Sequence, residues 1–377
     1  PIRDFPAVAQ GKAHILSFGP GVHEIGCMDL ESDTAVLIDR DAYLYGSFRA
    51  VCAENIDIFG YGVIDGSREV RTDESRLLLN DYTAPLPADR ENILRRLKQR
   101  HVLDGILRFY RCRHIRVEGP TLRDAATFAV IPAGCEDVTL ENLKTIGMWR
   151  YNADGIDLFN CRDVRIRNCF LRNFDDCVVI KGIVGWDTTD NADILVEGCV
   201  VWCDWGRNLE LGAETNAPAF WNILFRNCDC IHGSTAFLDI QHHNRADIGQ
   251  VTFEDIRVEY TKHQLPDVFQ NDMDAPYPTD TPVRHPLLFC LPIYRSGLFA
   301  EDGLNGRIHD ITFRNIRILT DAPEVPVPES AFLGLDAEHT VERICIAGVT
   351  CNGKRLATRE ELRLHINEFV RDVTILP

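Results

Sequence analysis

The sequence lacks any stretch approaching the roughly 20 consecutive apolar residues that a membrane-spanning helix needs. It is also poor in positive charge: 40 Lys and Arg stand against 57 Asp and Glu, a formal net charge of −17. That deficit argues against nucleic acid and anionic membrane as partners, because neutralising phosphates takes basic residues in excess. It disfavours a polyanionic ligand as well, unless a local basic groove overrides the mean field. Cysteine is abundant, at 14 residues, yet the cysteines do not fall in the paired spacing of a zinc site. A chain of 377 residues can bury a core large enough to dispense with disulfides. The opening residues, PIRDFPAVAQGK, lack the charged-then-apolar order of a secretion signal. A reducing cytoplasm is therefore the expectation, and a secreted protein whose signal has been removed is the alternative.

What the sequence has is a recurring phrase: apolar, any, apolar, any, then Asn, Gly or Asp, then apolar. It reads IDIFGY from Ile56, IRVEGP from Ile115, VTLENL from Val138, VRIRNC from Val164 and ILVEGC from Ile194. It continues as ILFRNC from Ile223, VTFEDI from Val251, ITFRNI from Ile311 and ICIAGV from Ile344. From Ile115 to Val251 the starts are 23, 26, 30, 29 and 28 residues apart, a solenoid period. Alternation makes each phrase a strand with one face inward, and the fifth residue supplies the bend, often in a left-handed conformation. The laps lack the Leu spacing of a leucine-rich horseshoe and are shorter than the roughly 40 residues of a propeller blade. The fold class predicted is all-β, a right-handed parallel β-helix forming one domain over residues 1–377. Cys169, Cys199 and Cys228 take the sixth place of the phrase, where other coils put Leu143, Ile256, Ile316 and Val349. They read as a buried apolar ladder.

Two segments break the rhythm. Residues 86–104, LPADRENILRRLKQRHVLD, read as an inserted amphipathic helix with Asp89 as N-cap and Ile93, Leu94 and Leu97 on one face. Residues 261–305, rich in Pro, Asp and Tyr, read as a long loop leaving the coil, either a lid over a groove or an idle flap. GYG at 60–62 resembles a phosphate loop only in outline, because no helix pattern follows it. His242 and His243 lack a third ligand at metal spacing. No cofactor and no metal are expected, and nothing in the sequence sets an oligomeric state.

The repeat also aligns polar groups. Asp175 and Asp176 follow Val164 by 11 and 12 residues, and Asp154 precedes Asp175 by 21, about one lap. In the next coil come Arg207, Asn208 and Glu210, and in the one after it Asp239, Gln241 and His242. Three aspartates within about two rungs repel one another, so at least one carboxyl should stay protonated at a pH where another is ionised. Hydrolysis of a glycosidic bond requires that division of labour. The competing reading makes these Asp and Asn ordinary bend residues of solenoid corners.

The segments NADGIDLFN (152–160), NFDDCVVIKG (173–182) and FGYGVIDGS (59–67) resemble the motifs of the polygalacturonase family of glycoside hydrolases. DAYLYGSF (41–48), GYGVIDGS, and VVW followed later by CIHG are similar to the related dextranase and isopullulanase family. The resemblance implies a parallel β-helix that inverts the anomeric centre, with Asp175 as general acid and Asp154 and Asp176 holding the water. It implies a carbohydrate substrate, contacted by Asn152, Lys181, Arg207, Asn208, Glu210, Asp239, Gln241 and His242. Two departures stand out. The family's Gly-His-Gly aligns with GRN, placing Arg207 where a histidine is expected, and its Arg-Ile-Lys aligns with DIQ, placing Asp239 and Gln241 where two cations would grip a uronate. Asp and Gln suit sugar hydroxyls, so a neutral sugar is favoured beside the scissile bond; the counter-reading gives uronate binding to Arg207 itself. Two further alternatives are a polysaccharide lyase, with Arg207 or Lys181 as the base, and a non-catalytic carbohydrate-binding solenoid.

Overall fold

A computed structural model describes residues 9–69, 90, 91, 93, 105–183, 189–261, 264, 283–295 and 303–377. Every copy of the phrase lies in one 12-stranded parallel sheet, from His14–Phe18 through Glu136–Glu141, Arg162–Arg167 and Asn191–Glu197 to Val370–Leu376. Its register is in phase with the repeat: Ile115, Val138, Val164, Ile194, Ile223 and Val251 are successive partners. Apart from Lys354–Leu356, which pairs antiparallel with Val349–Cys351, the remaining strands form two further parallel ladders joined through the long strand Ala42–Val51, which pairs with Val63–Asp65 in one half and Leu107–Tyr110 in the other. This is the parallel β-helix that the repeat predicts.

Position five of the phrase turns the corner in all nine copies. Gly60, Gly119, Asn142, Asn168, Gly198, Asn227, Asp255, Asn315 and Gly348 all have positive φ. A second left-handed row precedes each phrase by one residue: Asn55, His114, Asp137, Asp163, Asp193, Asn222, Gln250, Asp310 and Arg343, with φ between 53° and 62°. The sequence reading missed this row because His, Gln and Arg occupy some of its positions, and these are not habitual turn residues.

Stacking at about 4.8 Å per coil brings like beside like in the core. Phe225 stacks on Phe253 and Phe253 on Phe313, at centroid distances of 4.7 and 5.3 Å. Cys169, Cys199 and Cys228 are buried as expected, and all fourteen cysteines are free thiols. Arg90, Glu91 and Ile93 are helical, in keeping with the expected insertion; the rest of 86–104 lies outside the described residues. The loop expected over 261–305 needs correction. Within it, Leu287–Pro292 is a wall strand pairing with Ala236–His242 and Ser330–Leu333, so the excursion is broken in two. The apolar run LLFCLP carried that signal; much of the remainder lies outside the described residues.

Cys27 and Cys52 are the exposed thiols and nine others are buried. Titration of the native protein with a thiol reagent is therefore expected to show two fast-reacting groups, rising to fourteen after denaturation without reductant.

Candidate active site

One ladder runs through Val130–Ala133, Ile156–Phe159, Val178–Gly182, Arg207–Thr215 and Ala236–His242. Alternate residues of these strands, such as Ile156, Val178, Leu209 and Leu238, fill the core. The residues between them face outward, and there Glu210 and Asp239 are direct register partners. Asp154, Asp175 and Asp176 stand just ahead of the strands, where the chain turns into the wall. Backbone hydrogen bonds lock these turns together: Gly155 N–H donates to the Asp176 carbonyl (2.8 Å) and Cys177 N–H to the Arg207 carbonyl (2.9 Å).

The three aspartates are thus on adjacent coils, and all are buried. Gly206 makes room for two of them. A Cβ at Gly206 would overlap Oδ1 of both Asp175 and Asp176, so the glycine is required by space. Asp176 accepts the Arg207 backbone N–H at 2.8 Å and lies 3.9 Å from its guanidinium. Lys181 holds the other side, with Nζ 3.2 Å from Asp154 and 3.0 Å from Asp157. Asp157 was not singled out from the sequence, although it is the second acid of NADGID. Its signal was a carboxylate at an outward position of a strand otherwise apolar, one coil before the lysine.

Carboxyls outnumber cations here, and the electrostatics follow. Burial, then the neighbouring Asp176 charge, raises the Asp175 carboxyl well above the usual carboxylate range. Burial and then Asp157 raise Asp154, against the pull of Lys181. Asp157 is pushed up by burial to about 7 and Asp239 to about 6. Glu210, fully buried, is raised by burial and then by Asp176. Lys181 and Arg207 behave oppositely. Burial works against their charge, but the carboxylates around them prevail and keep both firmly protonated.

Seven of the expected residues therefore converge: Asp154, Asp175, Asp176, Lys181, Arg207, Glu210 and Asp239. Arg207 links the last two to the acids, with Nε 3.8 Å from Glu210 and 3.4 Å from Asp239. Asn152 and Gln241 are half-buried, the former two residues before Asp154 and the latter at the far end of its strand, paired with Gly212. Three expected substrate contacts, Glu210, Asn208 and His242, are fully buried, and the last two are corrected, being turned away from the acids. Asn208 is fully buried and its amide donates to the His232 carbonyl (2.8 Å), which props a corner. His242 is also fully buried, with Nδ1 2.7 Å from the Thr215 hydroxyl. The neighbouring His243 is buried too, and its ring stacks at 4.5 Å on Tyr294, which is exposed. Trp205 was missed too; it stacks on Phe174 and meets Tyr151 edge-on at 5.5 Å.

Residues 42–268, which span this acid cluster and the wall that carries it, match the model of glycosyl hydrolases family 28. The chain belongs to that family. Among solved structures, this family 28 chain is similar to an exopolygalacturonase from Thermotoga maritima, at 17% identity and a TM-score of 0.61, covering 97% of this chain and 85% of that one. Dex49A from Penicillium minioluteum is 13% identical with a TM-score of 0.62, over 97% of this chain and 60% of that one. An endo-xylogalacturonan hydrolase from Aspergillus tubingensis is 16% identical with a TM-score of 0.56, over 98% and 96%. At such identities the likeness concerns the fold. No curated protein sequence matches.

His242 makes the family 28 wall acid-sensitive. Burial, then His243, pushes its imidazole down to about 3, far below the roughly 6.5 of an unfolded chain. The unfolded state then binds a proton that the native state refuses, so stability present above pH ~6.5 is lost as pH falls towards 3. Thermal unfolding of His242→Asn is expected to show a shallower decline over that window than the parent protein.

Proposed function

We propose that this family 28 glycosidase is an inverting enzyme in which Asp175 is the general acid and Asp154 and Asp176 manage the water. The observation that carries the reading is the unequal treatment of the acids. Burial raises both Asp175 and Asp154, but Asp154 is ion-paired with Lys181 at 3.2 Å, which favours its carboxylate, whereas the leading charge on Asp175 is that of Asp176, which favours its protonated form. A protonated carboxyl can donate to the leaving glycosidic oxygen, and an ionised one can take a proton from water on the opposite face of the sugar. Asp175 and Asp176 lie side by side at Gly206, closer than the ~6.5–9.5 Å that separates an inverting acid from its base. Asp154, on the neighbouring coil, is therefore the carboxylate assigned to proton abstraction, and Asp176 orients the water and raises Asp175.

The sugar beside the bond is neutral in this reading. Arg207 is the cation nearest the place where the family aligns its uronate grip, and its charge is already shared among Asp176, Glu210 and Asp239. A uronate carboxylate would have to displace these acids or tolerate them. The lyase alternative fares worse, because its base must be a deprotonated cation and both Lys181 and Arg207 are held protonated. The free thiols support a reducing compartment.

Asp175→Asn is expected to lower kcat by about 10²–10⁴-fold with little change in KM. Intact hydrolysis in that variant would remove Asp175 from the mechanism. Products followed by anomer-resolved NMR are expected to appear inverted, and a panel of matched oligosaccharides is expected to favour neutral over uronate substrates. Faster turnover of the uronate member would transfer the acidic subsite to Arg207.

A further inference from the structure

Asp157 is a buried carboxyl to which the proposed mechanism gives no task. It faces outward from the strand Ile156–Phe159, three residues after Asp154. Val179 is its register partner on the next coil, and Ile131 falls opposite it on the preceding one. Two apolar neighbours and complete burial make this a costly place for a carboxylate. Its cationic neighbour is Lys181, whose Nζ lies 3.0 Å from Asp157 and hydrogen-bonds Asp154 Oδ2 at 3.2 Å.

The ammonium is held in place. Lys181 continues the outward column Tyr110, Ala133, Phe159, each the register partner of the next. That column packs with Ile93, Phe128 and Ile131 in an apolar cluster separate from the interior core. The Phe128 ring lies 4.4 Å from Nζ, so an aromatic ring and two carboxyls enclose the charge. With water excluded, charges in contact are weakly screened. One positive charge thus serves two carboxyls. Alone beside Lys181, Asp154 would be held ionised and would bind a proton weakly. A second carboxyl on the same ammonium offsets that pull. The balance on Asp154 agrees: burial raises it most, and the Asp157 charge raises it at least as much as Lys181 lowers it. Asp175 and Asp176, from the following coil, raise Asp154 further, and Asp176 also raises Asp157. Glu214, on the strand Arg207–Thr215, adds its charge to those around Lys181.

We propose that Asp157 is a positioning residue that acts through Lys181 to set the basicity of Asp154 towards the attacking water. The inference deepens the glycosidase reading above and rests on its assignment of Asp154 as the base. A general base works best when its proton affinity matches the working pH. A carboxylate with a lysine to itself would take the proton of water poorly. Asp157 draws part of the ammonium's charge to itself and leaves Asp154 able to accept that proton.

The test compares the wild-type protein with Asp157→Asn, which keeps the shape and removes the charge, on the fastest-cleaved member of the oligosaccharide panel. With that negative charge gone, Lys181 acts on Asp154 alone and Asp154 ionises at lower pH. The acid limb of kcat/KM is expected to move down by about one pH unit or more, the effect of a neighbouring charge. The plateau kcat is expected to fall while KM stays unchanged. An acid limb that stays in place, or moves up because Lys181 has lost its anchor, would overturn the proposal. Should the variant not fold, ¹³C NMR titration of the wild-type carboxyls decides. The Asp154 signal, assigned with Asp154→Asn, is expected to titrate in two steps as Asp157 charges beside it, and a single step would overturn the coupling. Absence of hydrolysis across the whole panel would overturn the glycosidase reading and the role of Asp157 with it, while the titration, which needs no turnover, would still report on the pair.

Discussion

Each coil must lay its backbone hydrogen bonds onto the next at about 4.8 Å, and that constraint forces equivalent residues of neighbouring coils into contact. For apolar side chains the result is favourable, as in the stack of Phe225, Phe253 and Phe313. For small turn residues it is tolerable, because Asn, Asp and Gly accept left-handed backbone at modest cost. For carboxylates it is costly. Asp154, Asp176 and Arg207 fall in line on successive turns, and the chain relieves the crowding by placing Gly206, which has no side chain, against Asp175 and Asp176.

The two cations then divide the acids into groups. Lys181 neutralises Asp154 and Asp157, while Arg207 reaches Asp176, Glu210 and Asp239. Removing either cation would leave several buried carboxyls to compete for protons, so the ionisation pattern is a property of the cluster and of no single residue. Arg207 stands where the family resemblance leads one to expect a histidine, and it faces acids where that resemblance leads one to expect cations. Its position next to Gly206 is what lets its backbone amide and its side chain serve the same carboxylate, Asp176.

Different parts of the molecule were legible to different degrees. The repeat predicted the phrase-bearing sheet, its register and nine corner residues, because side-chain period and left-handed tolerance are local properties. Lap length also brought Asp154 within range of Asp175 and Asp176, and the stacking of Glu210 on Asp239 follows from equal spacing after Ile194 and Ile223. The strand Leu287–Pro292 was lost in a segment judged by its Pro and Asp content. Asp157 was overlooked because, in sequence, it is one more alternating position of a strand.

The sequence alone determined the solenoid, its corners and the neighbourhood of the three aspartates, since these depend on periodicity and on contacts between adjacent laps. Only the tertiary structure decided which way each polar side chain turns. A one-residue change of direction turns His242 towards Thr215 and His243 towards Tyr294, and sends Asn208 into a corner while Arg207 faces the acids. It also decided that the outer face before Lys181 is covered, because that burial joins Ile93 to Tyr110 and Phe159 across coils that no repeat relates. Local pattern fixes the spacing of a wall, whereas packing from outside the repeat fixes what the wall leaves open.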